Sequence, residues 1–516
     1  MSNVNMYRRI YGQFFTPEAV VTCCYRLIEG ELPSIPAIVD PACGDGAFLR
    51  YALDHSMTLR ERIIGCELDA ALVADLVRSG LQGVRQADGL APANLPTGGF
   101  DLVVGNPPFG VATSSEGRAM LASEVRFLLR ALELARPGGL VALVLPSGVL
   151  ANERLRSLRN DLLARCTVLA AIALPRDTFR RAGTDAACSI LLLRNSPAPA
   201  NHRVLFALPN RLDELPQVVA AYRSGLQISD CKLQIMPVAN QSAIYNPSTA
   251  RFLSVSKGRT GLQSTIGYWL PQSGDLARRM DAHFWQPAHR ALLECMAERN
   301  PLRPLGELLE RRRELIAGDH VRPSRGEAKG PGLPHEYYQT REFMAAGYNY
   351  ARLERCDELA YRRLRHTAVQ RHDVLVSCAG VGGAGRGRVC LVLHQPGTSC
   401  TGDVLILRVR QLDPIFLFLF LASQAGRRQL LRLQNGVGTV NLSVDELLQV
   451  EVPLLAPAAQ ANLAASYAPI AAAHHAAMAA RSSADGAAFQ HERARSEALL
   501  AELLERVETL LIGGEP

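Results

Sequence analysis

Between Ala37 and Leu145 the chain repeats one pattern: a short apolar run, a turn that often carries an acid, then a helical stretch. Ala37-Ile38-Val39-Asp40, Arg62-Ile63-Ile64-Gly65-Cys66-Glu67, Val84 to Asp88, Phe100 to Val104 and Leu140 to Leu145 read as strands. Phe48 to Leu53, Leu68 to Val77 and Ser123 to Ala135 read as helices, the last closed by Pro137-Gly138-Gly139. Strands this apolar have no wet face, so they belong in a mostly parallel sheet covered by helices on both sides, an α/β fold. In such a sheet, ligands bind beyond the carboxyl ends of the strands.

A chain of 516 residues exceeds what one core usually holds, and an apolar content of 48% supplies material for more than one. The pattern changes near residue 195, where Ser196-Pro197-Ala198-Pro199-Ala200 interrupts it, and Pro271 to Gly274 forms another joint. We divide the chain into 1–235, a connector 236–271, a mixed α/β domain 272–456 with short strands at Val374-Leu375-Val376 and Val404 to Arg408, and a helical segment 457–516. In the last, Leu499, Leu500, Leu503, Val507 and Leu510 fall on one helical face. A formal charge of +7 suits approach to a polyanion. Twelve cysteines without a CxxC pair indicate neither a zinc site nor a disulfide framework. The amino terminus has no signal-peptide pattern and no apolar run is long enough to span a bilayer, so the expectation is a soluble cytoplasmic protein.

Asp40-Pro41-Ala42-Cys43-Gly44-Asp45-Gly46 follows the first strand. Its glycines allow a tight turn and close approach of a ligand, while its two acids would repel a pyrophosphate and accept a cation. Glu67, 27 residues after Asp40, stands where a carboxylate takes ribose hydroxyls, and Asp88, 21 residues later, could accept from an adenine amine. One acid after a strand is ordinary turn chemistry; three in order at successive strand ends ask for a cationic adenosine derivative, S-adenosylmethionine. Asn106-Pro107-Pro108-Phe109 follows Leu102-Val103-Val104. An amide and a carbonyl stiffened by two prolines beside an aromatic face can grip a flat, amine-bearing group.

Together with Gly12-Gln13-Phe14-Phe15-Thr16-Pro17, these segments resemble the ordered motifs of the amino-methylating DNA methyltransferases, specifically the adenine-N6 group, over roughly the first 195 residues. The resemblance implies a Rossmann-like methyltransferase sheet that binds S-adenosylmethionine and needs no metal. It places Phe15, Thr16, Pro17, Asp40, Ala42, Cys43, Gly44, Gly46, Glu67, Asp88 and Asn106 at the cofactor, with the segment from Phe14 capping its methionine moiety. Asn106, Pro107, Pro108 and Phe109 would be catalytic, and Phe109 and Phe179 would stack on an adenine flipped out of duplex DNA. The Asn-Pro-Pro-Phe tetrad alone also occurs in methyltransferases of protein glutamine and of RNA, and cytosine-N4 transfer uses the same geometry.

About residues 272 to 456 resemble the specificity modules of restriction-modification systems, through Leu276 to Gln286, Asp373 to Ser377, Gly387-Arg388-Val389, Asp413 to Leu417 and Asn435 to Ser443. One module with one helical spacer implies an asymmetric site read by a monomer or a palindrome read by a homodimer. Arg386, Arg388, Arg427, Arg428 and Arg432 are the candidate DNA-contacting residues. Only 11 residues precede Gly12, so any restriction is expected from a separate endonuclease subunit. A DNA-binding specificity subunit with an inert catalytic fold is the rival from a non-enzyme class.

Overall fold

The computed structural model describes residues 15–110, 122–180, 186–224, 267–309, 314–380, 387–394, 399–400, 403–433 and 440–513. They form two compact units, one from the described residues up to 224 with 267–286, the other from 287 onward.

The first unit is built in the order α1 (Glu18–Ile28), β1 (Ile38–Asp40), α2 (Ala47–Asp54), β2 (Ile63–Glu67), α3 (Ala70–Arg78), β3 (Val84–Gln86), β4 (Phe100–Gly105), α4 (Ser123–Leu134), β5 (Ala135–Pro146), α5 (Ser147–Ala151), α6 (Arg156–Arg165), β6 (Thr167–Ala173), β7 (Cys188–Arg194), β8 (Arg203–Ala207), α7 (Leu215–Ser224) and β9 (Gly267–Pro271). The strands form one nine-stranded sheet in the order β3-β2-β1-β4-β5-β7-β6-β8-β9. β3, β2, β1, β4 and β5 run parallel, β7 is antiparallel to both β5 and β6, and β9 is antiparallel to β8. The α/β expectation holds, with strand limits within a few residues of those read from the apolar runs. The break at Ser196–Ala200 is only a turn: the chain re-enters the sheet through β8 and β9, so this unit extends past the first segment drawn from the sequence.

Two apolar layers hold this sheet between its helices. Ile38, Leu102, Leu140 and Ile190 face α1, α2 and α7 on one side; Val39, Val103, Val141 and Leu191 face α4 and α6 on the other. Each such side chain taken fully out of water is worth about 1.5–3 kcal/mol. Because both faces are covered, β1 and β4 are buried at every residue, which is why their sequence lacks alternation.

After β9 the chain does not leave the first unit. Gln272 accepts from Val168 N (2.8 Å) and donates to Cys166 O (2.8 Å), and Leu276, Met280 and Ala282 sink into the second apolar layer. Residues 272–286, assigned from the sequence to the following domain, are thus a strap on the first.

The second unit contains α8 (Pro287–Arg299) and a four-stranded antiparallel sheet of β10 (Leu315–Ala317), β11 (Val374–Ser377), β12 (Val389–Leu391) and β13 (Val404–Leu407), ordered β10-β13-β11-β12. Arg408 grips the buried Asp373 with two bonds of 2.9 and 2.8 Å. Asp413 caps α9 (Pro414–Ala422) by accepting from Ile415 N and Phe416 N, with Pro414 in the first turn. α10 (Gln424–Leu433), α11 (Pro457–Ser466), α12 (Ala468–Ser482) and α13 (Gly486–Ile512) follow. On α13 the buried stripe is Leu500, Leu503, Val507 and Leu511; Leu510, expected on that face, is 46% exposed. The buried stripe steps four residues from Val507 to Leu511, leaving Leu510 on the flank that faces solvent.

Candidate active site

The carboxyl ends of β1, β2 and β4 surround a cleft of about 720 Å³ that opens to solvent. Its floor is the turn after β1. Gly46, with φ of 75°, is the amino-terminal cap of α2 and occupies the left-handed region that a side chain disfavours. Cys43 N donates to Cys66 O (2.9 Å), tying this turn to the end of β2. Glu67 completes the tie: its carboxylate accepts from Gly44 N (2.9 Å), Leu68 N (2.8 Å) and Asp69 N (3.0 Å). Asp40 is 2% exposed and accepts from Ala42 N (3.0 Å). At Gly105, φ of 154°, a Cβ atom would lie 2.7 Å from Asp40 Oδ1, so glycine is what lets β4 end against this carboxylate.

Burial raises the Asp40 carboxyl to about 8; the Ala42 N–H opposes that shift, while Glu67 and Asp45 add to it. Burial likewise raises Asp45, and it pushes the Cys66 thiol to about 11, so the thiols lining the cleft are protonated and unreactive. A pocket that holds neighbouring carboxylates against their own repulsion fits a cationic ligand.

The sequence-assigned residues Phe15, Thr16, Asp40, Ala42, Cys43 and Gly44 line the cleft, as do Glu67, Asp88, Asn106 and Pro108. Asp88 is exposed and accepts from Leu90 N (2.9 Å). Asn106 Nδ2 donates to Thr16 Oγ1 (3.1 Å), joining two motifs 90 residues apart and fixing the rotation of the amide. Pro17, Gly46, Pro107 and Phe109 support this wall from outside the cleft lining: Pro17 O accepts from Val20 N at the start of α1, Pro107 is buried, and Phe109 packs on the core. Phe14 lies outside the described residues.

Leu68, Phe48 and Phe127 also line the cleft and were not singled out from the sequence. Leu68 was legible as the apolar residue after the acid of β2. Phe127 was not, since it comes from α4, far along the chain, where an apolar helical residue reads as core.

Phe179 is 1% exposed inside the core beneath the sheet and does not line the cleft, so the structure gives it a packing role instead of a stacking one. Arg388 likewise departs from the DNA contact expected of it. Its guanidinium donates to the carbonyls of Thr340 and Phe343 and lies over the Phe343 ring at 6.0 Å, which commits it to the fold of the second unit. Arg427, Arg428 and Arg432 sit half-buried on α10, so they do not form the open basic face expected of them; burial lowers the Arg428 pKa, opposed by Glu508 of α13. Arg386 lies outside the described residues. Among the described residues no cluster of three or more His, Cys, Asp or Glu side chains could hold a metal ion, and no helix is long and apolar enough to cross a membrane.

Residues 3–215 match the model of the N-6 DNA methylase family. The chain is 28% identical over 195 residues to the type I restriction enzyme EcoEI methylase subunit of Escherichia coli, a match covering 33% of this chain and 39% of that one. It is 25% identical over 216 residues to the type II restriction enzyme and methyltransferase RM.BcgI of Heyndrickxia coagulans, covering 38% of this chain and 33% of that protein. The chain therefore spans about two fifths or less of the length of these relatives. Among solved structures, the type IIG restriction endonuclease BpuSI aligns with 99% of this chain and 68% of its own at 12% identity, with a TM-score of 0.44.

Proposed function

We propose, from the premise that residues 3–215 form an N-6 DNA methylase domain, that this chain methylates the N6 amine of an adenine in duplex DNA, using S-adenosylmethionine. The observation that carries the reading is the Asn106–Thr16 bond, which sets the amide of the Asn-Pro-Pro-Phe segment on the wall of the acidic cleft.

The cofactor supplies a sulfonium methyl when bound. Of the residues lining the cleft, Asp40 and Glu67 would hold its cationic and ribose portions, and Leu68 and Phe127 would give its base apolar walls. The adenine N6 lone pair is delocalised into the ring and is a poor nucleophile. With its nitrogen end committed to Thr16, Asn106 turns its oxygen to one N6 hydrogen and the Pro107 carbonyl takes the other. The two acceptors pull the amine toward a pyramidal geometry and aim its lone pair at the methyl. Positioned dipoles of this kind are worth about 10²–10³ in rate each. Phe109, backed by the core, offers a face to the base, which must be flipped out at a cost of a few kcal/mol.

The second unit supplies target recognition in this reading, with the terminal helices as spacer. Double-stranded DNA is the partner, and a homodimer or a separate restriction endonuclease subunit accompanies the chain in a cytoplasmic, nucleoid-associated setting. Sequencing of modified bases in DNA from cells expressing the chain tests the proposal. N6-methyladenine confined to one sequence motif, absent with Asn106→Ala, is the expected result. N4-methylcytosine would replace the base assignment, and unmodified DNA alongside methylated RNA or protein would remove it.

A further inference from the structure

Arg159 on α6 is 0% exposed. Its guanidinium donates to four carbonyls: Ala277 (2.8 Å) and Arg278 (2.9 Å) on the strap, and Val149 (3.2 Å) and Asn152 (2.8 Å) after β5. Met280 N donates to Leu150 O (2.8 Å), and the buried pair Arg279–Asp281 (2.6 Å) locks the next turn, where Asp281 also accepts from Phe284 N (3.1 Å). A buried arginine spent on backbone carbonyls implies that the position of this strap matters.

The strap lies along the edge of the sheet that carries the catalytic segment. β6 runs parallel to β5, both being antiparallel to β7, so the turn after Ala173 emerges at the same edge as Gly105 and Pro146. That edge lies toward β6 from Asn106, on the side of β4 opposite β1 and β2. Arg176 in that turn and His283 on the strap are both exposed. Ala173, at the end of β6, shares one apolar layer with Met280 and Ala282 of the strap, which brings the turn bearing Arg176 and the residue His283 to the same edge; the pKa of His283 is accordingly lowered first by the chain crowding its ring and then by the charge of Arg176, while Asp281 opposes. The Asp281 carboxylate is already engaged by Arg279, which leaves the exposed Asp177 as the nearby acid in sequence.

We propose that Arg176 and His283 grip a backbone phosphate of the DNA at the substrate edge of the first unit, with the Arg159-anchored strap as their rigid mount. The assignment rests on the DNA-methylating reading above. Arg176 contributes charge and a forked donor, His283 a neutral ring N–H donor. A contact of this kind positions the duplex without reading its sequence.

The test uses the full chain with Arg176→Ala, Arg176→Lys and His283→Ala, none of which removes a buried group. Cofactor affinity by calorimetry should equal that of the unmodified chain. Affinity for a duplex bearing the methylated motif and for a scrambled duplex should fall several-fold in parallel for both alanine variants. The slope of log affinity against log salt should shrink by about 1 for Arg176→Ala, stay unchanged for Arg176→Lys, and change little for His283→Ala, because only the arginine displaces a counterion. Unchanged DNA affinity in both alanine variants overturns the proposal, as does a loss confined to the motif-bearing duplex or a parallel loss of cofactor binding. If the unmodified chain binds no DNA, the function reading itself fails, a result distinct from variants that bind as well as the unmodified chain.

Discussion

Cofactor binding should release a proton from Asp40. In the free protein this carboxyl titrates near 8, so at pH 7 it is about nine-tenths protonated, because burial disfavours its charge and Glu67 and Asp45 repel it. A cationic ligand reverses the balance. An opposite charge within reach lowers a carboxyl by about 1–3 units, and with a drop of two about 0.8 proton leaves per ligand bound at pH 7. By linkage, affinity should then rise roughly fivefold from pH 6 to pH 7, a window below the range of about 7.7–8.0 where an α-amino group loses its own proton. The sign for the free protein is opposite. Because the folded carboxyl lies above its unfolded value of 3.8, the unfolded chain binds fewer protons across that interval, and stability falls as pH rises from about 4 to 8, then levels. Titration calorimetry with S-adenosylmethionine in buffers of differing ionisation heat counts the released protons. Asp40→Asn should bind more weakly, release almost none and flatten the pH dependence. Proton release below about 0.2 in the unmodified chain, or equal release from Asp40→Asn, would refute the reasoning.

Asn106→Ala should lower methyl transfer by about 10²–10³ or more while leaving cofactor affinity within a few-fold, and near-normal turnover in a radiolabelled assay would remove the residue from catalysis. Arg159→Met strips four carbonyls, two of them in fully buried bonds, of their donor and should destabilise the first unit by about 3–5 kcal/mol, read from denaturant unfolding; Arg159→Lys should recover part of it. In the second unit, burial lowers His394 and His474 to about 4, and His474 Nε2 donates to Tyr348 O (3.1 Å). Between pH 6.5 and 4 the unfolded chain binds more protons, so this unit should lose a few kcal/mol across that window; a flat urea midpoint there would contradict the burial of these rings.

The first unit was legible because its signals are local. A strand buried on both faces must be apolar throughout, and the turn that follows it must carry its own glycines and acids; Asp40, Gly44, Glu67 and Asn106 therefore announced themselves in order. The fold class and most of the residues that line the cleft came from that run. What the sequence could not decide depends on which distant segments meet. Phe179 and Phe109 are both aromatics after a strand, yet only packing sends Phe179 into the core. Arg388 looked free among glycines, but the Thr340 and Phe343 carbonyls claim it. The strap at 272–286 returns to the first unit because Arg159, more than a hundred residues earlier, supplies donors that its carbonyls lack. A buried donor and its acceptors obey no spacing rule along the chain. Tertiary structure decides such pairings, because burying either partner alone would be too costly.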